Sequence, residues 1–245
     1  MDRLLYIAMT GARETTLAQA KSANNLANAN ATGFKADLAQ ARAMPIFGNG
    51  LPSRAFVMTE RPGTDFDHGS LITTGNDLDV AVKGSGFLAV QDDNGGEGYT
   101  RAGELRINAQ GFLEGPGGRL VLGNGGPIQV PANEKIDIGV DGTISVRPQG
   151  APANAVVVLD RLRLVNPPLA TLRKGEDGLF RQENGVPAAP DANVQVVQGA
   201  LESSNVNAVE EMIDMISLAR QFEVNVKMMK ISEDNDASLE RLVQI

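Results

Sequence analysis

The 245-residue sequence predicts an α+β chain with a helix at each end and a β-rich middle. Residues 3–28 and 206–245 contain no proline and carry helical spacing of their apolar residues. Between them, apolar residues alternate with period two and are punctuated by Gly and Pro turns. In chain order the sequence divides into an N-terminal helical segment (1–35), an extended connector (36–70), a β-rich domain (71–190), a return connector (191–205) and a C-terminal helical segment (206–245).

The first helix spans about Arg3 to Asn28, with Gly11 its weak point. Its apolar side is mostly small: Leu4, Leu5, Ala8, Ala12, Thr15, Ala18 and Ser22, with Leu26 near the end. Such a stripe buries little area per residue, so the helix is marginal alone and needs a packing partner. Asn24, Asn25, Asn28 and Asn30 crowd its exit, and Gly33 suits a left-handed stop. At the other end, Asn207 followed by Glu210 forms a capping-box start, with Glu210, Glu211 and Asp214 complementing the helix dipole. Met215, Ala219, Phe222, Val226 and Met229 then alternate steps of four and three, the spacing of a coiled-coil seam. That seam turns polar at Glu233 and Asp236 before resuming at Leu239 and Leu242.

The middle signals strands. Ile136, Ile138 and Val140, then Asp141-Gly142, then Ile144 and Val146 read as a hairpin. Leu78, Val80 and Val82 alternate, and Phe87 to Val90 continues after Gly84-Ser85-Gly86. A further strand is expected at Val156 to Leu159, with Leu162 and Leu164. Residues 36–70 mix Pro, Gly and short apolar pieces and read as an extended connector with a little strand.

Composition removes several function classes. Cysteine is absent and His68 is the single histidine, so thiol catalysis, disulfide frameworks and structural zinc sites lack their ligands. A formal charge of −8 argues against nucleic-acid binding. No apolar run reaches the roughly 20 residues of a membrane-spanning helix, and no general secretory signal is expected at the N-terminus. Gly84-Ser-Gly86-Phe-Leu-Ala89 fits a dinucleotide fingerprint, but strand-like residues follow it where a helix is required, so a tight sheet turn is the better reading. Asp65, Asp67 and His68, and likewise Asp92, Asp93, Asn94 and Glu97, read as solvated loop residues rather than metal ligands. Asn30-Ala-Thr32 fits a glycosylation acceptor by chance. No catalytic, metal-binding or cofactor-binding residue is expected; a wall-acting or carbohydrate-binding protein would have to use Asp65/Asp67 or Asp92/Asp93, which lack an apolar setting.

Longer motifs are more specific. Ala23-Asn-Asn-Leu-Ala-Asn28 running to Thr32-Gly-Phe-Lys35 resembles the N-terminal signature of bacterial flagellar rod and hook subunits. Gly199-Ala-Leu-Glu-Ser-Ser-Asn-Val206, with Glu210-Glu-Met-Ile213 and Arg220-Gln-Phe-Glu223, is similar to their C-terminal signature. Thr74-Gly-Asn-Asp-Leu-Asp-Val-Ala-Val82, Gly84-Ser-Gly-Phe87, Tyr99-Thr-Arg101 and Gly111-Phe-Leu113 resemble the β-domain pattern, from which Leu88 and Glu104-Leu105 depart. The compact connector and Asp177-Gly-Leu-Phe-Arg181 are similar to the proximal rod subunits, with distal rod and hook subunits as the alternative.

This resemblance implies a non-enzymatic structural subunit whose terminal helices pair as a coiled coil inside a tube, with connector and β-domain outside. It also implies export by the flagellar type III apparatus without a cleaved signal peptide, and assembly in the periplasmic rod. The partners implied are other rod proteins and copies of itself, with no cofactor and no membrane insertion. The residues it points to as an assembly interface are Asn24, Asn25, Leu26, Asn28, Gly33 and Phe34 at one end. At the other they are Glu202, Ser204, Asn205 and Asn207, with Phe222, Val226 and Met229 in the seam.

Overall fold

A computed structural model describes residues 3–38, 41–45, 55–59, 63–150, 152 and 155–243. Parts of the expected connector (39–40, 46–54 and 60–62) lie outside the described residues. The fold is α+β and divides into two compact units. One comprises residues 1–29, 36–65 and 206–245; the other comprises residues 30–35 and 66–205.

The first unit is built on two helices, α1 (Arg3–Ala27) and α2 (Ala208–Val243). Asn207 caps α2 as expected, its Oδ1 accepting from the backbone N–H of Val209 at 3.2 Å and of Glu210 at 3.5 Å. The helix does not stop where its seam turns polar. Its 36 residues run on to Val243, about 54 Å at 1.5 Å per residue. The helices lie antiparallel, since Asn25 meets Glu211 and Thr15 meets Asn225. The described parts of the expected connector hold more strand than the sequence suggests. Ala41–Pro45 pairs with Ala55–Thr59, Asp37–Leu38 pairs with Gly63–Thr64, and Ala55–Thr59 packs on α1.

The second unit is β-rich. Its largest sheet has five antiparallel strands in the order Leu164–Val165, Phe87–Gln91, Glu97–Thr100, Phe180–Gln182 and Leu172–Lys174. Strand Phe87–Gln91 is buried on both faces and separates two apolar clusters. Leu88 and Val90 point into the larger, with Val80, Val82, Ile128, Ile144 and Leu162. Phe87 and Ala89 point into the smaller, with Tyr99, Val165 and Phe180. Three aromatic rings meet here: Phe66, Phe87 and Phe180 pack with ring centroids 5.4–6.2 Å apart.

The hairpin read from Asp141-Gly142 forms between Asn133–Ile138 and Thr143–Pro148, with Gly142 in the left-handed region at φ 86°. Val80–Lys83 is a strand as expected, yet its alternation does not mark a solvent face: Ala81 is as fully buried as Val80 and Val82. Val157–Arg161 also forms, as an edge strand that leaves Val156, Val157 and Val158 exposed.

Candidate assembly surfaces and a buried charge cluster

The buried stripe of α1 runs through Ala8, Ala12, Thr15 and Asn25. These small side chains allow α2 to approach closely. A Cβ placed on Gly11 would lie 3.1 Å from Asn225 Oδ1, and Asn225 Nδ2 donates to Thr15 Oγ1 at 3.4 Å. The facing stripe of α2 carries Glu211, Met215, Leu218, Asn225, Met229 and the fully buried Ser232. Relative to the expected seam, Met215 and Met229 keep their place. Phe222 and Val226 are 38% and 42% exposed, and the inward positions pass to Leu218 and Asn225. The rotation follows from the partner: Gly11 and Thr15 leave room for a polar side chain and offer a hydroxyl to it.

Asn25 anchors this unit. It is 3% exposed, and its Nδ2 donates to Glu211 Oε1 at 2.7 Å and to the Asp37 carbonyl at 3.1 Å. Its Oδ1 accepts from the Asp37 N–H at 2.9 Å. Asn24 is exposed and Leu26 half-buried; Asn28 closes the helix end by donating from Nδ2 to the Asn24 carbonyl at 2.8 Å. The outward side of α2 is apolar as well. Val209, Ile213, Ile216, Val224 and Ile231 are each more than half exposed, and Tyr6 and Met9 are so on α1.

In the β unit a buried charge cluster gathers three motifs. Glu202 is 1% exposed and sits between two cations. Its Oε1 accepts from Lys35 Nζ at 2.7 Å and its Oε2 from Arg101 Nε at 2.5 Å. The Gly69 N–H donates to Oε1 at 3.1 Å, and His68 Nδ1 lies 3.9 Å away with its ring half exposed. Burial alone would raise the Glu202 pKa; the Lys35 hydrogen bond and the Arg101 charge outweigh it and hold the carboxyl below its ordinary value. Lys35 also donates to the Asp67 carbonyl at 2.6 Å. Arg101 donates to the Val82, Gly84 and Gly86 carbonyls at 2.7–3.0 Å. The Gly84-Ser-Gly86 turn, which imitates a phosphate loop in sequence, therefore presents carbonyls to a cation, with Phe87 opening a strand behind it.

The remaining expected residues surround this cluster. Gly33 adopts φ 65° and donates its N–H to the Glu202 carbonyl at 2.7 Å. A Cβ there would lie 2.3 Å from the Arg101 carbonyl carbon, so glycine is needed for both conformation and approach. Phe34 lies under Lys174, whose Nζ is 3.9 Å from the ring centroid. Asn205 donates from Nδ2 to the Asp67 carbonyl at 3.2 Å, and Ser204 is half-buried beside it. Lys35 and Arg101, the centre of the cluster with Glu202, were not among the expected site residues. Their signal was a charge ending an otherwise uncharged signature motif.

Asp92 differs from the solvated loop residue expected. Its side chain is 9% exposed and accepts from Arg181 at 3.0 Å, and this hydrogen bond lowers its pKa. Arg181 also donates to Asp177, at 2.7 Å. Among the described residues no group of His, Asp and Glu is arranged to hold a metal ion. No helix among them is long and apolar enough to cross a membrane.

Residues 197–242 match the family model for the C-terminal region of flagellar basal body rod FlgEFG proteins, and residues 81–146 match that of the flagellar hook protein FlgE/F/G D1 domain. The chain is 41% identical to the flagellar basal-body rod protein FlgF of Escherichia coli K12, over the full length of both. It is 40% identical to FlgF of Salmonella typhimurium LT2, again over both full lengths. It is 33% identical to the rod protein FlgG of Agrobacterium fabrum, covering 95% of this chain and 96% of that one.

Proposed function

The chain belongs to the flagellar basal-body rod protein family, as a structural subunit of the rod, and we propose that it assembles by burying its exposed helix faces against neighbouring subunits. The observation that carries this reading is the outward stripe of Val209, Ile213, Ile216, Val224 and Ile231 on a helix that already packs against α1 on its other side. Burying one such side chain fully is worth about 1.5–3 kcal/mol, so covering the half exposed here gains roughly 1 kcal/mol each. The five together supply roughly 5 kcal/mol, the lower end of the cost of immobilising a subunit, so other contacts share in holding the polymer. Charge favours the same contact. α1 carries Arg3, Arg13 and Lys21 against Glu14, whereas α2 is net acidic.

In this reading the two helices form a coiled coil, and Phe222 and Val226 join the outward apolar surface. Asn24 and Asn28 extend the interface at the α1 end. The neighbours are other rod proteins and copies of the chain itself. Identity of 41% and 40% to two FlgF-named relatives, against 33% to the FlgG-named one, supports a place in the proximal rod. The same family membership supports, as part of this proposal, delivery by the flagellar type III export apparatus, without a cleaved signal peptide, to the periplasmic rod.

The test is the paired substitution Ile213→Asp and Ile216→Asp. The variant should keep the wild-type circular dichroism and unfolding midpoint, because both side chains face outward. It should also fail to restore swimming to a strain lacking the native subunit. Wild-type swimming by that variant would refute the reading.

A further inference from the structure

The β unit is entered at residue 30, left at 35, re-entered at 66 and left again at 205. Apart from Arg101, the groups that accept from or donate to one another around Glu202 lie near these crossings: Gly33, Lys35, Asp67, Gly69 and Asn205. Residues 30–35 contribute nothing to either apolar cluster of this unit. Their attachment is polar, and the charge at its centre belongs to Glu202.

We propose that Glu202 is the positioning residue of a latch, whose carboxylate holds residues 30–35 on the β unit and whose loss frees that segment while the β core stays folded. Neutralising Glu202 removes the carboxylate that Lys35 and Arg101 both contact and weakens the compensation of two buried cations, an unfavourable change. The two cations differ in how they can relieve it. Arg101 is caged by the Val82, Gly84 and Gly86 carbonyls inside the core and stays. Lys35 has a long flexible side chain on a short segment, and Asn30 at the start of that segment is already exposed. Releasing residues 30–35 returns the ammonium to water at the cost of the Gly33 and Phe34 backbone bonds, the Lys35 bond to the Asp67 carbonyl and the Lys174 contacts with the Lys35 carbonyl and the Phe34 ring, without disturbing the apolar clusters. Local opening is therefore the lower route. This inference is independent of the assembly reading, because it concerns one chain in solution.

The experiment is hydrogen exchange on the purified full-length chain and on Glu202→Gln, read by region. The Gly33 and Asn205 amides should exchange about a hundredfold faster in the variant, while Ala89, Val121 and Val196 keep wild-type protection. A pH series adds a readout that simple loss of packing would not move. The charged and titratable groups facing Glu202 are Lys35, Arg101 and His68. Wild-type protection at residues 30–35 should be full above the ordinary carboxylate range and fall as pH drops through the lower folded pKa of Glu202, with the variant insensitive there. Unchanged exchange at residues 30–35, or equal acceleration of the core amides, would overturn the proposal. If Glu202→Gln does not fold, the wild-type pH series decides the matter: protection lost at Gly33 in acid before it is lost at Ala89, Val121 and Val196 supports the latch, and equal loss at all four or no loss overturns it.

Discussion

Asn25→Asp is nearly isosteric, yet it puts a second carboxylate where Asn25 Nδ2 now lies 2.7 Å from Glu211 Oε1. At an effective dielectric constant of 20, two like charges relaxed to 4 Å repel by roughly 4 kcal/mol. The chain can avoid this by protonating one carboxyl. From an ordinary value near 4.3 that costs about 1.4 kcal/mol per pH unit, or roughly 4 kcal/mol at pH 7. Both routes give the same penalty, and Asn25 is too buried for solvent to screen it. The donated bond to the Asp37 carbonyl is lost as well. The pair binds a proton more tightly in the folded state than in the unfolded one, so the deficit must shrink as pH falls. Thermal unfolding followed by helical circular dichroism between pH 5 and 8 measures this. The variant should melt well below wild type at pH 7 and approach it at pH 5. Adding Glu211→Gln should recover most but not all of the loss at neutral pH, because the amide can again donate across the contact while the bond to the Asp37 carbonyl stays broken. A variant that melts like wild type at pH 7, or whose deficit grows in acid, would refute the role given to Asn25.

Gly103→Ala places a Cβ 1.6 Å from the carbonyl oxygen of Val80, a fully buried residue. The expected loss is at least about 3 kcal/mol, the upper end for overpacking, seen as a lower denaturation midpoint of the β unit. Asp141 accepts from the Thr143 hydroxyl at 2.7 Å and from its N–H at 3.1 Å, and the hydroxyl bond leads in lowering its pKa. Its support of the hairpin turn is present above the ordinary carboxylate range and lost as pH falls through the lower folded value. Asp141→Ala should reproduce that loss at neutral pH, read as faster exchange of the Gly142 and Thr143 amides.

Much of the fold was legible because its signals are local. The hairpin at Asp141-Gly142 is marked by its turn residues and the alternation beside them, although the turn also takes in Gly139 and Val140, and the cap at Asn207 is set by one side chain reaching the next turn. The face of α2 turned toward α1 was not legible. Apolar residues occur around that helix, at Ile213 and Ile216 as well as Met215 and Leu218, so spacing alone does not choose a side. Gly11, Thr15 and Asn25 on the partner choose it, through the room and the hydrogen bonds they offer.

The motifs around Lys35, Arg101 and Glu202 could be quoted from the sequence, and they placed the chain among flagellar rod and hook subunits. Their joint purpose could not be read, because Lys35 and Glu202 are 167 residues apart and Arg101 and Glu202 are 101 apart. The sequence by itself determined two helices, a β-rich middle and a family, since these depend on short-range periodicity and on motif order. The tertiary structure alone decided which charges meet and which helix faces stay open, since both depend on long-range packing that no local pattern encodes.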